Sequence, residues 1–336
     1  QHLGGGRVGG VKSRDEAEQR VVAVLERMVS QESELDQEAS ADETDEPEAC
    51  AAREFLCWRN VVTWAEVLRA IRRGIRPQHA MRAALRPETK MILVEVVSNP
   101  TLRVADIDAL VGLAKEAGVL LVVDNTFTTP RAYRALEAGA DIVIHSVTKL
   151  LAGHSDVMLG YVAAKDREIN DRLRVFTVTA GMSASPFDCW LAERGMLSFD
   201  LRFDRAQSTA ARLADHLAGL SGVKRVLYPG RTDHPDHARA SALLNGNFCN
   251  MVSFELDGSR AAANAFTRAA TGLSFAPTLG DVGTTISHPA SSSHRALTPE
   301  KRAELGMSEG FFRVSVGLED PDTLCAVFTA AVDAAT

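Results

Sequence analysis

Long hydrophobic runs are missing from this chain. No stretch of about 18 apolar residues occurs, so nothing in it reads as a membrane-spanning helix. The first residues, Gln1-His2-Leu3-Gly4-Gly5-Gly6, carry neither an apolar signal-peptide core nor an initiator Met. Such a start is expected of a processed chain or of a domain cut from a longer protein. Cysteine is scarce: Cys50, Cys57, Cys189, Cys249 and Cys325 are scattered, odd in number and never spaced Cys-x-x-Cys. That argues against a disulfide framework and a structural zinc, and fits a reducing, cytoplasmic compartment. A basic excess is missing too. Lys and Arg total 37 against 44 Asp and Glu, and the net charge of -7 disfavours a nucleic-acid partner. Tyrosine occurs only at positions 133, 161 and 228, and there is no internal repeat.

The 336 residues suffice for a large core and two domains. Residues 1–49 differ from the rest: a Gly-rich start, a helical stretch from Asp15 to Val29, then nine acidic residues and no basic one between Gln31 and Cys50. A run of that kind buries little apolar surface and reads as a linker. Arg69, Arg72, Arg73, Arg76, Arg82 and Arg86 follow on an expected pair of helices. They read as a solvated basic face or as a dock for an acidic partner, including the acidic run itself.

From residue 90 the pattern is regular. Met91 to Val97, Val119 to Val123 and Asp141 to His145 are apolar runs of strand length, separated by helices expected at Ala105 to Ala117 and Ala132 to Ala138. Strands that are apolar throughout and alternate with helices mean a parallel sheet covered on both faces. A break is expected near Phe199 to Arg205, giving a domain over residues 50–200 and a smaller α/β domain over 201–336. The second part is expected to hold helices from Ala206 to Leu220, Arg260 to Ala270 and Asp322 to Ala335. Its strands are expected at Val223 to Tyr228, Met251 to Leu256 and Phe311 to Val316.

Open parallel sheets bind ligands beyond the carboxyl ends of their strands. At those ends stand Ser98-Asn99-Pro100, Asp124-Asn125-Thr126 and Ser146-Val147-Thr148-Lys149. A lysine after a strand is ordinarily a solvated residue, and an aspartate there is ordinarily a helix cap. Together they meet the demands of pyridoxal 5'-phosphate. An amine can link to its aldehyde, a carboxylate can pair with its ring nitrogen, hydroxyls can donate to its phosphate, and an amide can reach its phenolic oxygen.

The surrounding words are longer than chance allows. Asp124-Asn125-Thr126-Phe127-x-x-Pro130, and the run from Gly139 to Asp156 around His145-Ser146-x-Thr148-Lys149, resemble the Cys/Met-metabolism family of pyridoxal-phosphate enzymes. That family includes methionine γ-lyase, cystathionine γ-lyase, cystathionine γ-synthase, cystathionine β-lyase and O-acetylhomoserine sulfhydrylase. Glu95 to Thr101, Leu279-Gly280-Asp281, His288-Pro289-Ala290, His294 and Arg313 to Asp320 continue the resemblance over residues 80–336.

The resemblance implies an aspartate-aminotransferase-like (type I) α/β fold and a homodimer or homotetramer. It implies that Lys149 is the Schiff-base lysine and that Asp124 faces the pyridine nitrogen. Ser146 and Thr148 would hold the phosphate, and Asn99 the phenolic oxygen. Arg313, helped by Thr278, would clamp the substrate carboxylate as a bidentate fork. His145 and His154 are read as structural, with no zinc-type ligand set around them.

The family's phosphate-binding Ser-Gly-Met loop, its stacking tyrosine and its Tyr-Ser-Arg word are absent in recognisable form. Lys12-Ser13-Arg14 resembles the last of these without its tyrosine, and Trp58 or Trp64 is a candidate stacking face. The implied activity is carbon–sulfur cleavage, by β- or γ-elimination, of a sulfur-containing amino acid or of a tethered cysteine thioether. A replacement synthase or sulfhydrylase stays open. So do a lyase domain excised from a leinamycin-type polyketide synthase and a family member that keeps the fold without catalysis.

Overall fold

The computed structural model describes residues 61–63, 77–256 and 260–336. The expectations for Asp15 to Val29, the acidic run, Lys12-Ser13-Arg14, Trp58, Trp64 and Arg69 to Arg76 lie outside the described residues. The first sheet holds β1 (Val61–Thr63), β2 (Met91–Glu95), β3 (Leu120–Asp124), β4 (Ile142–Ser146) and β5 (Gly160–Ala164), in that spatial order. β1 to β4 run parallel and β5 is antiparallel to β4. Between β2 and β3 lies α2 (Ile107–Ala117), preceded in the chain by α1 (Pro77–Ala84). Asp106 caps α2 by accepting from the Ala109 amide, and Gly118 ends it in the left-handed conformation.

Strand alternation divides the apolar residues between two cores. Leu121, Val123 and Val143 pack with Leu110 and Leu113 of α2 on one face. Val122, Ile142, Ile144 and Val162 pack on the other, against Ile169 and Leu173 of α4 (Arg167–Thr179). Burial on both faces is why these strands read as continuous apolar runs.

The second sheet has the order β6 (Val223–Leu227), β7 (Met251–Leu256), β10 (Phe311–Ser315), β9 (Thr285–Ser287) and β8 (Ser274–Phe275). It is antiparallel except between β8 and β9. Its core joins Phe254, Phe312 and Val314 to Leu213 and Leu217 of α6 (Phe199–Ala218) and to Phe328 of α10 (Pro321–Asp333). Phe254 and Phe312 stack with centroids 5.5 Å apart. Alternation along β10 sends Phe312 and Val314 into this core. Arg313 and Ser315 therefore fall on the opposite face, where Arg313 meets Asn99 from beyond β2.

Two expectations change. The stretch Phe199 to Arg205 is helical: α6 runs unbroken for 20 residues, because Arg202 and Phe203 are buried rather than solvated. The helix expected at Ala132 to Ala138 is instead the short α3 (Thr129–Ala132), followed by a turn. Asn125 directs that chain path: its side-chain amide donates to the carbonyls of Thr129 at 3.3 Å and Tyr133 at 2.7 Å. In the basic cluster, Arg82 is paired with Glu116 of α2.

Candidate active site

The functional residues lie where the strand ends of the first sheet face the Arg313 side of the second. Lys149 follows β4 in a π-helical turn, Val147–Leu151, and its own backbone leaves the helical region at φ -83°, ψ -129°. Its side-chain Nζ donates to Thr278 Oγ1 at 3.4 Å. Thr278 is thereby a bridge, because its carbonyl accepts from Arg313 Nη2 at 2.8 Å. Arg313 Nη1 donates to Asn99 Oδ1 at 2.9 Å. Lys149, Thr278, Arg313 and Asn99 thus form one connected chain across two sheets.

A second chain holds the other rim residues. Asp124 Oδ1 accepts from the Thr126 amide at 2.9 Å, and Thr126 Oγ1 accepts from the Ser146 amide at 3.0 Å. Glu95 pairs in register with Asp124 on the neighbouring strand and accepts from the Asn99 amide at 2.8 Å. Of the seven residues the resemblance assigns to cofactor or substrate, all but Thr148 lie on one of these two chains. Its hydroxyl accepts from the Leu159 amide at 2.8 Å and donates to the Leu159 carbonyl at 3.2 Å, tying the lysine turn to the start of β5.

Electrostatics distinguish the groups. Burial pushes the Asp124 carboxyl above the usual carboxylate range, against the two hydrogen bonds from Thr126 that favour its ionised form. A cation placed against it would restore the charge. Burial lowers Arg313 to about 10, opposed by the nearby Glu95 carboxylate, so the guanidinium stays charged at neutral pH. Arg313 is 3% exposed, and its Nε has no partner among the described residues. The buried Ser146 Oγ also lacks a partner there. Buried polar atoms are rarely left unpaired, and each such atom calls for an explanation. A phosphate beside Ser146 and a carboxylate beside Arg313 supply one.

The donor set therefore fits pyridoxal phosphate. Lys149 would carry it, Asp124 would face its ring nitrogen, and Ser146 would donate to its phosphate. Asn99 has committed Oδ1 to Arg313, which leaves its side-chain N–H groups for the phenolic oxygen. Thr148 fits less well, since a phosphate bond would cost the one it gives Leu159. His145, driven down to about 4 by burial, is neutral at pH 7, and His154 Nδ1 pairs with the Ala152 carbonyl at 2.7 Å. Among the described residues no group of three or more His, Cys, Asp or Glu gathers as a metal site. Tyr133, raised to about 12 by burial, keeps its proton at neutral pH.

Three contributors were passed over in the sequence. Thr126 links the Asp124 and Ser146 strand ends, and only its place beside Asp124 hinted at this. Gly280 sits at φ +81°, and a Cβ there would lie 2.6 Å from the Leu150 amide nitrogen and 2.8 Å from the Lys149 carbonyl carbon. Only glycine lets this loop rest on the lysine turn. Arg202, which reads as one charge among several on α6, is buried against that same turn.

Fold and site define a pyridoxal-phosphate-type α/β architecture, and comparison with known proteins narrows the class. Residues 73–333 match the Cys/Met metabolism PLP-dependent enzyme family, and the chain belongs to it. It is 42% identical over 241 residues to a cystathionine beta-lyase of Bacillus subtilis, covering 72% of this chain and 61% of that protein. It is also 42% identical over 247 residues to an O-succinylhomoserine sulfhydrylase of Pseudomonas aeruginosa, covering 74% and 61%. A solved cystathionine gamma synthase from Xanthomonas oryzae superposes with a TM-score of 0.73 at 39% identity, over 77% of this chain and 66% of that one. The chain thus spans about three-fifths of the length of the curated relatives it matches.

Proposed function

We propose that this chain is a pyridoxal-phosphate-dependent carbon–sulfur lyase acting on a sulfur-containing amino acid or a cysteine thioether. The observation that carries the reading is the linked set Lys149, Thr278, Arg313 and Asn99, with Asp124 held on the adjoining rim. When bound, the cofactor supplies an electron sink for the pair left on the substrate Cα. The protein supplies the rest. Arg313 takes the substrate carboxylate with donors that include its Nε, which has no partner among the described residues. Two converging charge-assisted bonds fix the amino acid's orientation. Lys149, as a free amine, would accept the proton from the substrate Cα. Thr278 holds both groups, so the base and the carboxylate clamp share one anchor. Departure of a thiolate from Cβ would complete a β-elimination, the Cα proton having gone to Lys149, the Cα pair to the new Cα–Cβ double bond and the carbon–sulfur pair to sulfur; departure from Cγ would need a proton to leave Cβ first.

Assays should supply cystathionine, methionine and an S-alkyl cysteine and follow thiol and 2-oxo-acid release. Pyridoxal-dependent release from any of them supports the reading; none from all three and none from a carrier-bound cysteine thioether opposes it. A replacement reaction is the second reading, favoured by the equal identity to the sulfhydrylase. It predicts turnover of an acylated homoserine with sulfide and none of a thioether alone. A tethered thioether, as in a polyketide-synthase setting, would show as release from a carrier-bound cysteine adduct but not from free amino acids.

The reading includes a homodimer or homotetramer. It is supported by an apolar surface that includes Met158, Phe187, Trp190, Leu197 and Leu201, all exposed. A cytoplasmic setting is part of the reading as well, supported by the free thiols of Cys249 and Cys325.

A further inference from the structure

The π-helical turn that presents Lys149 ends at Leu151, so its last carbonyls, those of Leu150 and Leu151, are left without helical partners. Arg202 of α6 meets them. Its Nη1 donates to the Leu150 carbonyl at 2.8 Å and its Nη2 to the Leu151 carbonyl at 2.9 Å. Nη2 also donates to the Gly195 carbonyl of α5 (Pro186–Met196) at 2.9 Å, and Nε donates to Ser198 Oγ at 3.0 Å. Every nitrogen of the guanidinium is used on protein oxygens, and no carboxylate pairs with it in these bonds. Burying an unpaired cation is costly unless its donors are fully met, and burial lowers its pKa accordingly.

The surroundings are shaped to admit it. Gly153 stands at φ +77°, and a Cβ there would fall 2.0 Å from Arg202 Nη1. The Gly153 carbonyl accepts from the Val282 amide at 2.9 Å, so the segment after the lysine is gripped by α6 on one side and by the Gly280–Val282 loop on the other.

We infer that Arg202 is the positioning residue for Lys149: its guanidinium fixes the backbone of the lysine turn, and so sets the direction from which the amine reaches cofactor and substrate. The inference rests on Lys149 carrying the cofactor. Arg202 touches no reacting atom. It acts through two carbonyls, of the residues one and two positions beyond the lysine. The same helix carries Leu213 and Leu217 in the second core, so the orientation of the lysine is referred to a rigid 20-residue element rather than to a loop.

The test compares Arg202→Lys and Ser198→Ala with the unaltered chain, with Lys149→Ala as control, all reconstituted with pyridoxal phosphate. Lysine keeps the charge but cannot reach three carbonyls as a planar fork. The alanine leaves all three carbonyl bonds of Arg202 in place and removes the support at Nε, together with the Ser198 hydroxyl's own bond to the Gly195 carbonyl at 3.1 Å. Four quantities are read: Tm, cofactor occupancy, the ratio of visible ellipticity to absorbance of the lysine-linked cofactor, and kcat and KM separately. In Arg202→Lys, occupancy is expected to hold, the ellipticity ratio to shift, and kcat to fall about 10-fold or more with KM within about threefold. Ser198→Ala is expected to move ratio and kcat the same way by less.

A lower Tm with ratio and kcat unchanged in both variants would mean that Arg202 merely stabilises the fold, and overturns the inference. If Arg202→Lys does not fold, Ser198→Ala decides by the same criterion. Absence of the band from the unaltered chain, as from Lys149→Ala, overturns the cofactor reading and the inference with it. A band that is present but insensitive overturns the inference alone.

Discussion

Arg313 shows what one buried residue decides. Its guanidinium has given two nitrogens to Asn99 and Thr278, and its Nε has no partner among the described residues. Replacing it by lysine preserves charge but loses the fork, so Arg313→Lys should lower kcat/KM for an amino-acid substrate about 100-fold, equivalent to ~2.7 kcal/mol of transition-state binding. Unchanged kinetics would remove Arg313 from the site. His145 makes a different claim. Burial holds its folded-state pKa near 4, against 6.5 as the ordinary value, so the unfolded chain binds the extra proton first. Stability should therefore be flat above about pH 6.5 and fall as pH drops toward 4, by about 3 kcal/mol from this residue. Asp124, shifted upward, acts in the opposite sense and offsets part of the loss in the cofactor-free chain. Urea unfolding across this range, compared with His145→Asn, measures it: the variant should show the shallower slope, and an identical slope would clear His145. At this scale the sequence was most legible for residues whose chemistry is local to a strand end, such as Asp124 and Lys149. Arg202 was not, because a buried arginine bonded to carbonyls has the same local sequence appearance as a solvated one.

Elements were legible where one periodicity dominated. β3 and β4 are apolar throughout because both faces of the first sheet are covered, and their boundaries lie within a residue or two of those expected. The antiparallel β5 was passed over, since Gly160-Tyr161-Val162-Ala163-Ala164 lacks the β-branched density of its neighbours. Four charged residues, Asp200, Arg202, Asp204 and Arg205, stand at the start of α6, where a break is expected; three of them are exposed on its outer face and Arg202 faces the lysine turn. The loop at Gly280 makes the element-scale prediction. Gly280→Ala meets both a left-handed φ and backbone atoms closer than 3 Å, and it should destabilise the fold by about 2 kcal/mol or more. It should also loosen cofactor binding by displacing the lysine turn. Denaturant unfolding and cofactor titration test the two effects, and a change under about 0.5 kcal/mol would mean that the contact yields freely.

At the scale of the whole molecule, the site is assembled from both sheets. Asn99 and Asp124 come from the first, Arg313 and Thr278 from the strand and loop layer of the second, and the Ser253 hydroxyl, donating to the Pro100 carbonyl at 2.6 Å, holds the two together beneath Arg313. Leu197 is 85% exposed, and the exposed Phe187 and Trp190 stack with ring centroids 5.9 Å apart, which supports the proposed association. Trp190→Glu combined with Leu197→Glu should shift the chain toward monomer in sedimentation with little loss of Tm. An unaltered oligomeric state would assign that surface elsewhere. The central claim is chemical and has a direct test. After incubation with pyridoxal phosphate and reduction with borohydride, peptide mass spectrometry should find the phosphopyridoxyl group on Lys149, and Lys149→Ala should carry none. Stoichiometric labelling of another lysine, or equal labelling of the variant, would contradict the account.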